Sequence, residues 1–260
     1  MKPGVKRALK IAGCVLFVAL AIPAGAFYSA FIGSSSMQDG VEMMTTVRLI
    51  KDGFVIVGMV DLGDGKVALI DAGNDADGEA ILAELSRRKL GPEAVIAVLV
   101  THGHPDHLAA IHLFPDAVVY ALEAEIPLIE GRVGSKGPAG RLTPVKPTGI
   151  SVRRRLADGD AFVIGQRRAQ VFALPGHTAG SAAYLIEGVL FLGDSASAKS
   201  DGSLMGAPYV FSDDQAQNRA SLKALAARLQ PMAEEVQFLV PAHSGPTKGL
   251  APLLAFAASH

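Results

Sequence analysis

Apolar positions along the chain change their pattern three times. Ile11 to Ile32 is a run of 22 residues in which only Gly13, Pro23, Gly25 and Ser29 are not apolar. As a helix rising ~1.5 Å per residue it would reach ~33 Å, close to the thickness of a bilayer core. From Val41 to Asp71 the runs shorten to strand length, Phe54 to Val60 and Val67 to Ile70, around the hairpin signal Gly63-Asp64-Gly65. From Asp75 the period changes again: Ala80, Ile81, Leu82 and Leu85, followed by Arg87, Arg88, Lys89 and Gly91-Pro92, predict a helix over 75–90 with a basic last turn. Val95 to Val100 is apolar throughout, the pattern of a strand buried on both faces.

The alternation continues with a short helix over 109–113, a strand over 117–121 and a helical stretch over 122–129. Residues 131–149 interrupt it, because Gly131, Gly134, Gly137, Gly140 and Gly149, interleaved with Pro138, Pro144 and Pro147, leave no apolar period. A long loop of this kind in a compact domain is usually functional or disordered. The second half predicts strands over 151–156, 161–164, 169–174, 181–186 and 189–192, an irregular stretch over 195–212, and a helix over 213–229 ended by Pro231. A strand over 238–240 and a helix over 250–258 close the chain. Strand runs followed by helices, twice, predict two sheets packed face to face with helices outside, in one α/β domain over 41–260. Gly33-Ser34-Ser35-Ser36 reads as a flexible linker within 33–40.

Charge changes the reading of the N-terminus. Lys2, Lys6, Arg7 and Lys10 precede the long apolar run with no acid among them, so the positive end is expected to stay in the cytoplasm and the rest to be exported. Ala24-Gly25-Ala26 after Pro23 is a small-x-small site, which suits a signal peptide cleaved after Ala26. The run continues through Phe27 to Ile32, which suits an uncleaved single-pass anchor. Residues 1–32 are therefore read as a signal peptide or a membrane anchor. The protein is expected at the outer face of the cytoplasmic membrane, or in the periplasm or medium if cut. Without those four cations the chain holds 20 basic against 25 acidic side chains, a net of −5. That balance argues against nucleic acid as a partner and leaves a small-molecule substrate. Cys14 is the only cysteine, which excludes an intrachain disulfide, a thiolate zinc finger and an iron–sulfur cluster. Any metal site must use His and carboxylate.

The candidate chemistry starts at the end of the buried strand, in Thr101-His102-Gly103-His104-Pro105-Asp106-His107. In an extended chain residues i and i+2 point the same way, so His102 and His104 can converge on one point while Gly103 allows a tight turn. Asp106 and His107 would open the next helix and reach a second point nearby, a spacing that suits two adjacent cations. His177, Asp194 and His243 each follow an apolar strand and lie beside or near Gly or Pro. Strand ends meeting at one edge can assemble a rigid site from distant parts of the chain. His112 lies among apolar residues and is read as structural. Asp71 in Ile70-Asp71-Ala72-Gly73 is either a group orienting a ligand or a turn-forming aspartate.

These residues resemble the metallo-β-lactamase superfamily of metallohydrolases, whose hallmark is His-x-His-x-Asp-His with a downstream His, Asp and His. The resemblance covers most of residues 41–250. It implies an αββα four-layer sandwich of two mixed β-sheets flanked by helices, with His102, His104 and His177 on one metal, Asp106, His107 and His243 on the other, and Asp194 bridging them. Two divalent ions are implied; imidazole and carboxylate suit zinc, and iron or manganese accept similar ligands.

The activity implied is hydrolysis of an ester, thioester, lactone, amide or phosphoester bond by metal-activated water, with Asp106 orienting the water and moving its proton. Asp194 resembles the bridging aspartate of the general hydrolases, where β-lactamases usually carry Cys or Ser, which disfavours antibiotic hydrolysis. Only 17 residues follow His243, so the glutathione-holding helical domain of glyoxalase II enzymes is not expected. Met205, Tyr209 and Phe211 in the second irregular stretch could wall the pocket. Two other classes share the ligand pattern: a non-haem iron persulfide dioxygenase, and a non-catalytic metal-binding domain.

Overall fold

The structure is a computed structural model and describes residues 32–260. The signal or anchor segment, Cys14 included, lies outside the described residues. Among the described residues no helix is long and apolar enough to cross a membrane.

Strands β1 (Val41–Met44), β2 (Val47–Asp52), β3 (Val55–Gly63), β4 (Lys66–Ile70), β5 (Val95–Leu99), β6 (Val118–Leu122) and β7 (Arg154–Leu156) form a seven-stranded sheet in chain order. It is antiparallel up to β4 and parallel from β4 to β7. A six-stranded sheet takes β8 (Ala161–Ile164), β9 (Arg167–Ala173), β10 (Ala182–Ile186), β11 (Val189–Gly193), β14 (Phe238–Pro241) and β15 (Thr247–Lys248), and only its β11–β14 pair is parallel. The remaining pair, β12 (Ala196–Ala198) with β13 (Leu204–Gly206), is a hairpin inside the stretch expected to be irregular.

Three apolar cores separate four layers. The central one is filled by the inward residues of both sheets, among them Leu49, Ile70 and Leu99 against Val171, Tyr184, Phe191 and Val240. Outward residues of the first sheet, such as Leu69, Val98 and Val100, meet Ile81 and Leu85 of helix α1 (Glu79–Arg87) and Ile126 and Ile129 of the short helix α2 (Ile126–Ile129). Leu185, Leu190 and Leu192 of the second sheet meet α3 (Gln215–Leu229) and α4 (Ala251–Ser259) through Leu222, Leu225, Leu253 and Phe256. Within β5, alternate residues serve the two cores, which is why the strand reads as unbroken apolar sequence. This is the αββα sandwich expected from the strand and helix order.

Helix α1 begins later than its apolar period, because Asp75 takes the amides of Asp77 and Glu79 on its side chain and turns the chain first. Helix α3 starts two residues later than its predicted 213 and ends as predicted at Leu229, with Asp214 capping the amides of Ala216 and Gln217. The expected linker is a correction. Ser34 forms a β-bridge with Lys199, the Ser35 amide donates to Ala198 O at 2.8 Å and the Gly245 amide donates to Ser35 O, so these residues are docked on the fold by backbone hydrogen bonds.

Candidate metal centre

Strands β4, β5 and β6 run parallel to one another in the first sheet, and β9, β11 and β14 share one direction in the second. Their C-terminal ends lead into Asp71, His102, Glu125, His177, Asp194 and His243 respectively. The sheet topology thereby brings residues up to 172 positions apart to one edge. Gly103 makes the first turn possible: a Cβ there would strike the backbone at Leu128 and Ile129. Pro105 then opens the 3₁₀ turn Pro105–His107 that presents Asp106 and His107.

The seven sequence-predicted residues converge as two adjoining groups. His102 Nε2, His104 Nδ1 and His177 Nε2 form a triangle with edges of 3.0, 3.1 and 3.2 Å. Asp194 Oδ2 lies 3.6 Å from His177 Nε2 and 3.9 Å from His102 Nε2. In the second group His243 Nε2 lies 3.3 Å from Asp106 Oδ2, and His107 Nε2 lies 3.7 Å from the same oxygen. Asp194 faces this group too, with Oδ2 3.1 Å from His243 Nε2 and Oδ1 3.3 Å from His107 Nε2.

The far side of each imidazole fixes what its near side offers. Thr101 Oγ1 gives its proton to Asp71 Oδ2 at 2.7 Å, so toward His102 Nδ1 it can only accept. Ser212 Oγ gives its proton to Pro208 O and accepts from His177 Nδ1 at 3.1 Å. His107 Nδ1 donates to Asp71 Oδ2 at 2.8 Å, and His243 Nδ1 donates to Phe54 O at 2.6 Å. In the neutral rings the Nε2 atoms of His102 and His177 are then bare lone pairs aimed at the centre. The triangle can share at most the one proton of His104, and its rings cross at 81–85° with their lone pairs converging. Nε2 of His107 and Oδ1 of Asp194 are buried without a hydrogen bond. The triangle's buried lone pairs, which have at most one proton to share, call for a cation. Tetrahedral zinc would hold its nitrogens ~3.3 Å apart, close to the triangle's edges.

The electrostatics divide the site. Burial pushes His102 and His104 below their ordinary value and His177 down to about 3, against the opposing pull of Asp194. Burial acts the same way on His107 and His243, but there Asp194 and the other nearby carboxylates win: His107 is raised well above its ordinary value and His243 is pushed up to about 10. Burial raises Asp106 and Asp194, yet the facing histidines, His107 on Asp106 and His243 on Asp194, hold both carboxyls below the usual carboxylate range.

Asp71 takes the orienting role: it accepts from the Thr101 amide, the Thr101 hydroxyl and His107 Nδ1, and it does so in the left-handed region at φ 61°. His112 is exposed and bonds Ala109 O, outside the site. Tyr209 and Phe211 lie on the 3₁₀ turn that leads into Ser212, while Met205 sits in the β12–β13 hairpin. Sequence reasoning missed two supports. Ser212 is one, and Glu125 is the other: buried, it accepts the Gly103 amide at 2.8 Å and the Gly180 amide at 2.7 Å. Its signal was present, since Glu125 falls on the same helical stripe as buried Leu122 and Ile129. Burial pushes its carboxyl up to about 7, against the hydrogen bonds from Gly103, Thr178 and Gly180.

Solved structures share this architecture. A B3 metallo-β-lactamase with an active-site glutamic acid aligns with TM-score 0.64 at 20% identity, covering 89% of this chain and 90% of that one. The metallo-β-lactamase MIM-1 of Novosphingobium pentaromativorans aligns with TM-score 0.64 at 21% identity, over 87% and 88%. Among curated proteins, the hydroxyacylglutathione hydrolase of Fuscovulum blasticum is 32% identical over 189 residues, 71% of this chain and 61% of that protein. That of Vibrio cholerae is 31% identical over 135 residues, 50% of this chain and 42% of that protein. The chain thus spans less than two thirds of the length of these relatives. The sequence model of the metallo-β-lactamase superfamily matches residues 50–243, from the second strand to the last histidine of the cluster. A match of that extent, ending on the residue that completes the two groups, makes this chain a member of the metallo-β-lactamase superfamily.

Proposed function

We propose that the chain is a dinuclear metal-dependent hydrolase of small molecules carrying an ester-type acyl bond, thioesters first. The observation that carries this reading is Asp194, whose two oxygens face both histidine groups at 3.1–3.9 Å. His102, His104 and His177 would hold one ion, Asp106, His107 and His243 the other, and Asp194 would touch both. Bound zinc lowers the pKa of a coordinated water to ~7 and polarises a carbonyl oxygen. The chain's own contribution is to hold the donors rigid through Asp71, Ser212, Phe54 O and Glu125, and to offer Asp106 as the proton acceptor. Asp106 is the most open of the carboxylates in the cluster, at 23% side-chain exposure against 6% for Asp194, and it stays ionised because His107 and His243 face it. A water-derived proton can pass to its free oxygen and on to the leaving group.

Thioesters are favoured because the curated relatives are hydroxyacylglutathione hydrolases. We place the chain at the outer face of the cytoplasmic membrane, held by the apolar run 11–32. Elemental analysis of the purified chain, with a panel of acyl thioesters, esters and lactones, tests the reading. Two zinc ions per chain, thioester turnover, and a loss of ~10³-fold or more in His104→Ala are expected. One iron per chain with oxygen uptake on a persulfide, or full activity in His104→Ala, would overturn it.

A further inference from the structure

We infer that the loop over residues 131–148 is a docking surface for an anionic lipid bilayer, set on the rim of the metal centre. Residues 131–149 contain Arg132, Lys136, Arg141 and Lys146 and no acid, in a chain whose part beyond residue 32 is net acidic. Every residue from 141 to 149 is exposed, and this stretch holds Leu142 at 85% and Val145 at 55% exposure. Val133 is exposed beside them. Arg132 is paired with Glu130 at 2.9 Å; aliphatic tips among the remaining cations, Lys136, Arg141 and Lys146, are what an interfacial segment presents, the tips entering the acyl boundary and the cations meeting the headgroups. Lys136 and Lys146 make no ion pair among the described residues.

The loop is built and does not merely hang from the fold. Its ends are tied at the base, with the Thr148 hydroxyl donating to Ile129 O at 2.7 Å and the Arg132 amide to Pro127 O at 2.8 Å. Its inner side is tied to the site: Asp213 Oδ1 accepts from Ser135 Oγ and the amides of Lys136 and Gly137, while the Asp213 amide donates to His177 O at 2.9 Å. The Ala139 amide donates to Val210 O, next to exposed Tyr209. The inner side of the loop is therefore joined to His177 through Asp213.

Two features choose a bilayer over an acidic protein. The exposed stretch presents single aliphatic residues, Leu142 and Val145, set between prolines. The chain preceding residue 33 contains 22 consecutive residues of membrane-spanning composition, and it joins the fold at Ser34–Ser36, which are docked on Ala198 and Gly245, four residues past Asp194 and two past His243. A leader held in a bilayer would keep that surface at high effective concentration for the fold. The inference rests on the membrane placement proposed above and is independent of the hydrolytic chemistry.

The test uses the full chain with Cys14→Ser and Leu142→Cys, labelled with an environment-sensitive fluorophore. It is mixed with vesicles of phosphatidylcholine containing ~30% phosphatidylglycerol, or with pure phosphatidylcholine. Expected are a blue shift and loss of iodide quenching on the anionic vesicles only, reversed by high salt. Lys136→Glu with Lys146→Glu should lower the docked fraction by ~30-fold or more. The same label at Val163→Cys, comparably exposed at 69% but one pair from the β8–β9 turn at the opposite end of β9 from His177, should stay water-like. A water-like Leu142 label on vesicles with which the chain floats would overturn the loop's role alone, and so would equal shifts at both label positions. Failure of the chain to float would overturn the membrane placement as well.

Discussion

Oε1 of Glu125 accepts the amide of Gly103, the residue between His102 and His104, while its Oε2 accepts the amide of Gly180, three residues past His177. One buried carboxyl therefore clamps the two loops, one from each sheet, that carry the histidine triangle. Glu125→Ala should leave two buried amides unpaired and cost about 1–3 kcal/mol in urea unfolding. The carboxyl also sets a pH dependence in the metal-free protein. Its folded pKa, pushed up to about 7 by burial, lies above the ordinary 4.5. The unfolded chain therefore releases this proton first as pH rises. The stabilisation is complete below about pH 4.5 and is lost through pH 7, a fall of ~3 kcal/mol. Urea midpoints of wild type and Glu125→Gln across that window check it: the Gln variant should lack this part of the slope, and parallel curves would remove the clamp's titration from the account.

The two halves of the site should load metal with different proton costs. Burial keeps His102, His104 and His177 neutral near pH 7, His177 titrating only at about 3. His107 and His243, facing Asp194 and other carboxylates, keep their protons, with His243 at about 10. The triangle can accept an ion without releasing a proton, whereas the second group must give up as many as two. Calorimetric zinc titration at pH 7 in buffers of different ionisation enthalpy should show a first event independent of buffer and a second that depends on it. The second affinity should fall ~tenfold per unit drop in pH for each proton displaced. Equal proton release in both events would contradict the division.

Asp71 receives three donors and offers none, so its amide analogue is the cleanest probe. Asn tolerates the left-handed φ of 61°, which separates chemistry from backbone strain. In either orientation, the amide nitrogen introduced by Asp71→Asn would meet the Thr101 or His107 donors now accepted by the carboxylate. The substitution should weaken metal at the Asp106, His107 and His243 group by ~10–100-fold while leaving the fold intact. Competition with a chromophoric chelator, read beside circular dichroism, measures both quantities. Unchanged affinity would mean that the His107 ring is held by packing alone.

The contrast between Asp71 and Glu125 shows what was legible in the sequence. Strand ends and the His102–His107 spacing are local patterns, so the seven clustered residues and the layer order could be read from runs of apolar residues and the turns between them. Glu125 meets Gly103 across 22 positions and Gly180 across 55, and Ser212 meets His177 across 35, so a local period can mark Glu125 as buried but cannot name the partners of either support. The docking of Ser34–Ser36 was hidden for the same reason, whereas the β12–β13 hairpin pairs locally but carries loop-like sequence. In both, glycine- and serine-rich sequence on its own signals a flexible loop.

Asp106 is the residue on which the hydrolytic proposal can be separated from metal binding. Its carboxyl is held below the usual range because His107 and His243 outweigh the cost of its burial, so it remains a proton acceptor through the neutral range. Asn keeps the shape and an oxygen but cannot take a proton. Since Asp106 is no part of the His102, His104 and His177 triangle, Asp106→Asn should retain at least one metal ion by elemental analysis. Its kcat on the best thioester should fall by ~10²–10⁴-fold, the range of general acid–base catalysis. The acid limb of the pH–rate profile should disappear with it, because the group that must be ionised is gone. A variant that holds its metal and turns over at the wild-type rate would assign the proton transfer to another group, leaving Asp106 a ligand only.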